Sequence, residues 1–151
     1  MTNIVYGPKG FGKTKIMIDQ ANKAGNEAKG NVVYITDKRF STVGIDFSVR
    51  CIYTEDYGVN NSQAFNGFVN GLLAGNSDIE YVFIDGLKRI IGNGMRGGNT
   101  LFKSLKALQK EYPNLKFVSE WGEPEKALKA GENSKNKLFA CEFANQSEVD
   151  L

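Results

Sequence analysis

The chain has 151 residues, of which 41% are hydrophobic and 24% charged, a size and composition that fit one globular domain and argue against a fibrous, largely disordered or membrane-spanning chain. Its 19 lysines and arginines against 17 aspartates and glutamates leave a net charge of +2, too small to indicate a nucleic-acid or membrane partner. The absence of histidine excludes Ser-His and Cys-His catalysis and histidine-ligated metals.

The first residues lead directly into a strand-like segment, without a basic region followed by a long apolar stretch, so no secretion signal is predicted. The two cysteines, Cys51 and Cys141, form neither a close pair nor a ligand cluster, which favours a reducing compartment. We therefore expect a cytoplasmic protein.

Short β-rich runs alternate with helical patterns along the chain. Most runs are almost continuously apolar, as expected for strands buried on both faces of a parallel sheet. The predicted strands are 3–6, 31–36, 50–54, 80–85 and 115–121, with a weaker one at 137–143.

Three helices are predicted between these strands. The first runs from Thr14 to about Ala24, the second begins at a cap formed by Asn61 or Ser62, and the third lies between Asn99 and Pro113. Strands that alternate with helices predict a three-layer α/β fold with a mainly parallel sheet of about five strands. We expect one domain over 1–143 and a flexible tail over 144–151.

Two connections differ from the rest. Residues 92–98 contain four glycines without hydrophobic periodicity, which predicts a mobile loop. The link between the second and third strands, 37–49, is at the lower length limit for a parallel crossover, so its pattern favours an antiparallel second or third strand.

After the first strand, the sequence matches the pattern of a glycine, four residues and then Gly-Lys-Thr. Successive backbone N–H groups of such a loop surround a β-phosphate, and the glycines keep that approach open. The following helix directs its partial positive charge at the same anion. The predicted phosphate-binding residues are Gly7, Pro8, Lys9, Gly10, Phe11, Gly12, Lys13 and Thr14.

Within this loop, Lys13 is expected to reach the β- and γ-phosphates of a nucleoside triphosphate, and the Thr14 hydroxyl is expected to bind Mg²⁺. Lys9 is either an additional charge near the phosphates or a solvated loop lysine. The competing interpretation of the whole motif is a glycine-rich turn that joins a strand to a helix.

The fourth predicted strand is apolar and ends in Asp85, as a Walker B strand does, so Asp85 is the second predicted Mg²⁺ ligand. Alternatively, Asp85 caps the turn into residues 87–91. Many ATP-hydrolysing P-loop proteins have a glutamate after this aspartate that orients water, but here the residue is Gly86. Because no glutamate follows Asp85, the sequence does not predict rapid ATP hydrolysis.

Other side chains could supply the missing chemistry. Glu120, a candidate catalytic carboxylate, and Ser119 end a strand at the edge where ligands collect, or they form an edge-strand polar pair. Arg96 is either an arginine finger or a solvated loop residue. Trp121 is either core or a base-stacking surface.

With the loop and the Asp85 strand placed, the chain resembles a family of small single-domain P-loop proteins of Gram-positive bacteria and their mobile elements, often labelled ATP-binding or "twitching motility" proteins. The resemblance covers residues 3–118, including GPKGFGKT, KGNVV, DYG, AFNGFVNGLLAGN and IEYVFID. It implies nucleotide binding and a RecA-like or related P-loop core. It does not imply pilus work, because pilus-retraction ATPases are much longer and contain histidine motifs.

The chain is also similar in layout to RecA-like thymidine kinases, with Asp37-Lys38-Arg39-Phe40-Ser41 in the place of their Asp-x-Arg-aromatic-Ser segment. It lacks their glutamate after the Walker B aspartate and their four zinc cysteines. This second resemblance therefore concerns core architecture.

Together these features predict Mg²⁺-dependent binding of ATP by a slow NTPase or nucleotide-dependent switch, with Lys13, Asp85 and Glu120 as candidate catalytic residues. Two alternatives are a kinase that phosphorylates a nucleoside or metabolite, and a non-catalytic assembly module that forms homo-oligomers or binds a protein partner when nucleotide is bound.

Overall fold

A computed structural model describes residues 2–6, 12–92, 94–121, 139–143 and 148–150 of the chain. These residues form one sheet with helices on both of its faces. The strands are β1 (Thr2–Tyr6), β2 (Asn31–Thr36), β3 (Val49–Tyr53), β4 (Ile79–Asp85), β5 (Lys116–Trp121), β6 (Phe139–Phe143) and β7 (Glu148–Asp150). The helices are α1 (Lys13–Glu27), α2 (Ser62–Gly75), α3 (Leu87–Ile91) and α4 (Gly94–Glu111), with 3₁₀ turns at Arg39–Thr42 and Thr54–Tyr57.

The strand order is β3-β2-β4-β5-β1-β6-β7, and every neighbouring pair is parallel except β6 and β7. The prediction of an α/β fold with a mainly parallel sheet is confirmed. The sheet has two strands more than the five predicted, because the weak 137–143 run supplies β6 and the 144–151 segment, predicted as a flexible tail, supplies β7.

The apolar strands face helices on both sides. On one face, Met17, Ala21 and Ala24 of α1 pack on a layer that includes Tyr34 and Phe83. On the other face, α2, α3 and α4 cover the alternate strand positions, such as Val33, Ile35, Val82, Ile84 and Phe117. Because successive strand side chains point to opposite faces, continuous apolar runs are needed when both faces are covered.

The connection from β2 to β3 differs from the prediction. The two strands pair in parallel, with Tyr34 opposite Cys51, although only residues 37–48 join them. The short crossover succeeds because it contains a compact 3₁₀ turn instead of a helix and is fastened to α1. Asn22 donates to the Gly44 carbonyl oxygen and accepts from the Asp46 amide, both at 2.9 Å.

The prediction of a mobile loop over residues 92–98 is also wrong for most of that range. Gly92 ends α3 with a φ of 72°, but helix α4 begins at Gly94 and includes the remaining glycines. Leu101, Leu105 and Leu108 anchor α4 in the core. Once a helix is anchored in this way, each further residue adds a hydrogen bond without a new nucleation cost, so the helix extends into residues of low propensity.

Two further features match the sequence analysis. Asn61 caps α2, and its side chain accepts from the Ala64 amide at 2.8 Å. Cys51 lies on β3 and Cys141 on β6, at sheet positions on the order of 24 Å apart, which excludes a disulfide between them. Within the described segments, no helix combines the length and the apolar character needed to cross a bilayer.

Candidate functional site

Helix α1 begins in an unusual electrostatic setting. Its N-cap is Gly12, in the left-handed conformation with a φ of 84°, a residue that has no side chain with which to cap the helix. The first turn contains Lys13 and Lys15 but no acidic residue. Since a helix N-terminus has a partial positive charge and free N–H groups, this arrangement favours an anionic ligand. The predicted loop residues Gly7, Pro8, Lys9, Gly10 and Phe11 lie outside the described residues.

The two predicted metal ligands lie together, although they are 71 positions apart in the chain. The Thr14 hydroxyl donates to Asp85 Oδ1 across 3.5 Å. Thr14 is in the first turn of α1, and Asp85 is the last residue of β4. Asp85 follows Phe83 by two positions and therefore shares the sheet face that α1 covers.

Asp85 is a buried carboxylate with only 2% of its surface exposed. Burial raises its pKa above the ordinary value, and a hydrogen bond from Tyr34, the charge of Arg89 and a hydrogen bond from Thr14 offset part of that effect. The Tyr34 hydroxyl donates to Asp85 Oδ2 at 3.1 Å. A buried carboxylate of this kind is stabilised when a cation binds it.

A second carboxylate, Asp37, lies at the same edge of the sheet. Thr36 is opposite Asp85 in the β2–β4 register, and Asp37 follows directly. Arg89 of α3 forms a two-bond fork on this carboxylate, with Nε 2.9 Å from Oδ2 and Nη2 2.9 Å from Oδ1. Burial acts to raise the pKa of Asp37, but the hydrogen bond and charge of Arg89, together with a backbone hydrogen bond and the charge of Lys38, hold the pKa below its ordinary value.

Gly86 has a steric role at this edge. Its φ is 80°, a left-handed conformation that favours glycine. A Cβ at this position would overlap the Arg89 guanidinium and lie 2.7 Å from Asp37 Oδ1. The residue that replaces the expected glutamate therefore leaves room for the Asp37–Arg89 ion pair.

The remaining candidates from the sequence are only partly joined to this group. Ser119 is completely buried opposite Ile84, and strand alternation puts it on the face away from α1. The backbone of Glu120 pairs with Val5 on β1. Arg96 is in the first turn of α4 and Trp121 ends β5, but the side chains of Glu120, Arg96 and Trp121 are outside the described part of the chain.

A cleft of about 570 Å³ lies between α1 and the β2–β3 crossover. It has both apolar and polar walls, and it borders the Thr14 end of the site. The lining residues are Thr14, Lys15, Ile18, Asp19, Phe40, Ser41, Val43 and Gly44. Phe40 is 73% exposed there, and the Lys38 ammonium lies 5.4 Å from the centre of its ring.

Three residues that contribute to this site were assigned no role there by the sequence analysis: Asp37, Tyr34 and Arg89. Asp37 had a usable signal in the sequence, because it directly follows an apolar strand, much as Asp85 ends one. Tyr34 lies inside an apolar run and has the pattern of a core residue, and Arg89 pairs with a residue 52 positions away. Neither of these two has a local sequence signal.

The assembled groups suit an anion and a cation bound together. Lys13 and the start of α1 favour the anion, while the Thr14 hydroxyl and the Asp85 carboxylate are hard oxygen donors of the kind Mg²⁺ prefers. Within the described residues, no group of three or more carboxylates and cysteines is spaced to hold a metal by itself. A metal at this edge would therefore need oxygens from its ligand or from water as well. The chain matches none of the protein-family models compared with it, and no curated protein matches it significantly.

Proposed function

We propose that the chain is a RecA-like P-loop protein that binds ATP with Mg²⁺ and acts as a slow NTPase or a nucleotide-dependent switch. The observation that supports this most directly is the 3.5 Å contact between Thr14 and Asp85. It joins the last residue of the GPKGFGKT motif to the end of an apolar strand, which is the pairing that Mg²⁺-nucleotide binding requires.

The charges at the site support the same proposal. The start of α1, with a glycine at its N-cap and lysines but no acidic residue in its first turn, favours phosphate, and the buried Asp85 carboxylate favours a cation nearby. In the proposed complex, Lys13 contacts the β- and γ-phosphates, and Thr14 and Asp85 hold Mg²⁺, directly or through water. The Mg²⁺ ion neutralises charge on the phosphates when bound.

The test is thermal unfolding with ATP, with and without Mg²⁺. Ligand at about 100 times its Kd is expected to stabilise the wild type by about 2.7 kcal/mol. Lys13→Ala is expected to lose most of this effect, and Thr14→Val is expected to lose the part that depends on Mg²⁺. Lys23→Ala, an exposed lysine on the same helix, is the control. Unchanged Mg-ATP stabilisation in Lys13→Ala would contradict the proposal.

The cleft beside Thr14 supports a second candidate, a small-molecule kinase. It lies next to the residues that would hold the metal, and it offers an aromatic ring, hydroxyls and a carboxylate to an acceptor. Product analysis distinguishes the two functions. A kinase would form a phosphorylated acceptor from a panel of nucleosides and hydroxylated metabolites, whereas an NTPase would release inorganic phosphate with no acceptor present.

A further inference from the structure

The edge of the sheet beside Asp85 contains a carboxylate that the proposed function has not yet used. Asp37 follows Thr36, which is opposite Asp85 in the β2–β4 register. Asp85 therefore ends β4, and Asp37 directly follows the neighbouring parallel strand β2 at the same edge of the sheet.

The Asp37 carboxylate also occupies a particular space. A Cβ built on Gly86 would lie 2.7 Å from Asp37 Oδ1. The position just after Asp85 is where ATP-hydrolysing P-loop proteins often have their water-orienting glutamate. Here Gly86 has no side chain, and an oxygen of Asp37, the residue after β2, lies against the place where the first carbon of such a side chain would be.

The carboxylate is also held in a fixed orientation. Arg89 makes two hydrogen bonds to it, each of 2.9 Å, and the Thr36 hydroxyl lies 3.5 Å from Oδ1. The side chain of Asp37 keeps 12% of its surface exposed, so solvent reaches it. A carboxylate that orients water must be held in a fixed direction, must be ionised and must be accessible to water, and Asp37 has these three properties.

We infer that Asp37 is a catalytic residue that orients the attacking water for hydrolysis of the bound ATP, and that Arg89 is the residue that positions it. In this step the water oxygen bonds to the γ-phosphorus, and the bond from that phosphorus to the β–γ bridging oxygen breaks. Asp37 accepts a hydrogen bond from the water and so orients it, the proton of the water leaves to solvent, and the products are ADP and inorganic phosphate. The inference rests on the proposed function.

The geometry favours Asp37 over Asp85 for this role. Asp85 has only 2% of its surface exposed and bonds Thr14 of the proposed metal site, whereas the Asp37 side chain keeps 12% of its surface exposed. Asp56 also pairs with an arginine, Arg39, but both of those side chains are exposed on the 3₁₀ turns. Asp56 therefore provides a matched control for breaking an Asp–Arg ion pair outside the site.

The experiment measures Mg-ATP binding and turnover separately on the full chain. Asp37→Asn is expected to lower kcat by about 100-fold while the Kd for Mg-ATP stays almost unchanged. Arg89→Gln is expected to lower kcat by about 10-fold, and Arg89→Lys is expected to recover part of the loss. Asp56→Asn is expected to keep the kcat of the wild type.

The outcomes separate this inference from the proposed function. If the wild type does not bind Mg-ATP, both fail. If it binds Mg-ATP without turnover, or if Asp37→Asn keeps the kcat of the wild type, the inference is overturned and nucleotide binding stands. If Asp37→Asn does not fold, Asp37→Glu replaces it, since this variant keeps the charge near Arg89 but displaces the carboxylate by one methylene. Its kcat is expected to fall with binding retained, and an unchanged kcat would overturn the inference.

Discussion

The Tyr34 hydroxyl donates a 3.1 Å hydrogen bond to Asp85 Oδ2 across the boundary between β2 and β4. Tyr34 is completely buried, and its ring stacks on Phe83 with the centroids 6.2 Å apart. The stacking fixes the ring, so the hydroxyl has a defined direction. An apparently ordinary core tyrosine thereby fixes the orientation of the carboxylate on which the proposed metal site depends.

Tyr34→Phe is expected to destabilise the protein by about 2 kcal/mol, because it leaves a buried carboxylate without one of its donors. Urea unfolding measures the loss. Tyr53→Phe is the matched comparison, since Tyr53 shares a neutral 2.8 Å hydrogen bond with Thr42 and is expected to cost only about 1 kcal/mol when truncated. Equal losses in the two variants would contradict the role assigned to Tyr34.

Asp85→Asn is expected to stabilise the ligand-free protein at neutral pH. Burial raises the pKa of Asp85, so the folded protein binds its proton more tightly than the unfolded chain does. The free energy of unfolding of the wild type therefore falls as pH rises from the ordinary carboxyl pKa through the raised pKa, and the lower value persists above that range.

Thermal unfolding from pH 3 to pH 8 checks this prediction. The Tm is expected to change by about 2–4 °C for each kcal/mol of change in the free energy of unfolding. The advantage of Asp85→Asn is expected to appear as pH rises and to vanish in acid. The same variant is expected to lose the Mg²⁺-dependent part of the ATP stabilisation. An Asp85→Asn protein that is less stable than the wild type at pH 7 without ligand would disprove the assignment of Asp85 as a strained, buried charge.

Gly86→Ala is expected to be more damaging than alanine at another left-handed glycine. Gly58 has a φ of 67° and nothing within 4 Å of an added Cβ, so Gly58→Ala costs only the backbone strain, about 1–2 kcal/mol. At Gly86 the new methyl group would also collide with Asp37 and Arg89, which adds about 1–3 kcal/mol. Denaturant unfolding of the two variants gives the difference, and equal losses would mean that the ion pair moves aside freely.

More of the fold than of the candidate site could be predicted from the sequence. Apolar runs that end at Thr36 and Asp85 are visible locally, because a strand buried on both faces needs apolar residues at nearly every position. The joining of Thr14 to Asp85 could also be expected, since it follows from a known motif. The Arg89–Asp37 pair could not, because it depends on which strands are neighbours and on the absence of a side chain at Gly86.

The errors in the predicted elements have a similar origin. Glycines at 94–98 indicate a loop by local propensity, but the core anchors further along α4 outweigh that propensity. The crossover 37–48 is too short for a helix, but Asn22 of α1 bonds its backbone and stabilises a parallel path. In both cases a tertiary contact, which no local pattern encodes, decides the outcome.

Two helical glycines are expected to respond to alanine in opposite directions. An added Cβ at Gly67 in α2 meets nothing within 4 Å, so Gly67→Ala is expected to stabilise the protein by about 0.5–1 kcal/mol through helix propensity. At Gly25 in α1, an added Cβ would lie 2.5 Å from Ser48 Oγ and 2.9 Å from Val49 Cγ2. Gly25→Ala is therefore expected to destabilise by about 1–3 kcal/mol despite the same gain in propensity. Denaturant midpoints test both signs.

Asn22 is expected to hold the β2–β3 crossover on α1. Its side-chain amide donates to Gly44 O, and its oxygen accepts from the Asp46 amide, so it bonds that backbone from both sides. Asn22→Ala is expected to cost about 1–2 kcal/mol and to speed hydrogen exchange and proteolysis in residues 37–48, because both partners lose their bonds. Asn22→Asp is expected to cost less, since it keeps an acceptor for Asp46.

Asn70→Ala is the control for Asn22, because the Asn70 amide bonds the carbonyl and side-chain oxygens of Asn66 within its own helix, α2. It is expected to leave exchange in 37–48 unchanged. Phe40 and Val43 of the crossover line the cleft beside Thr14. Loosening the crossover is therefore also expected to lower the affinity of the cleft for an acceptor. Exchange in 37–48 that is equally fast in the wild type and in Asn22→Ala would show that the two Asn22 bonds do not hold the crossover.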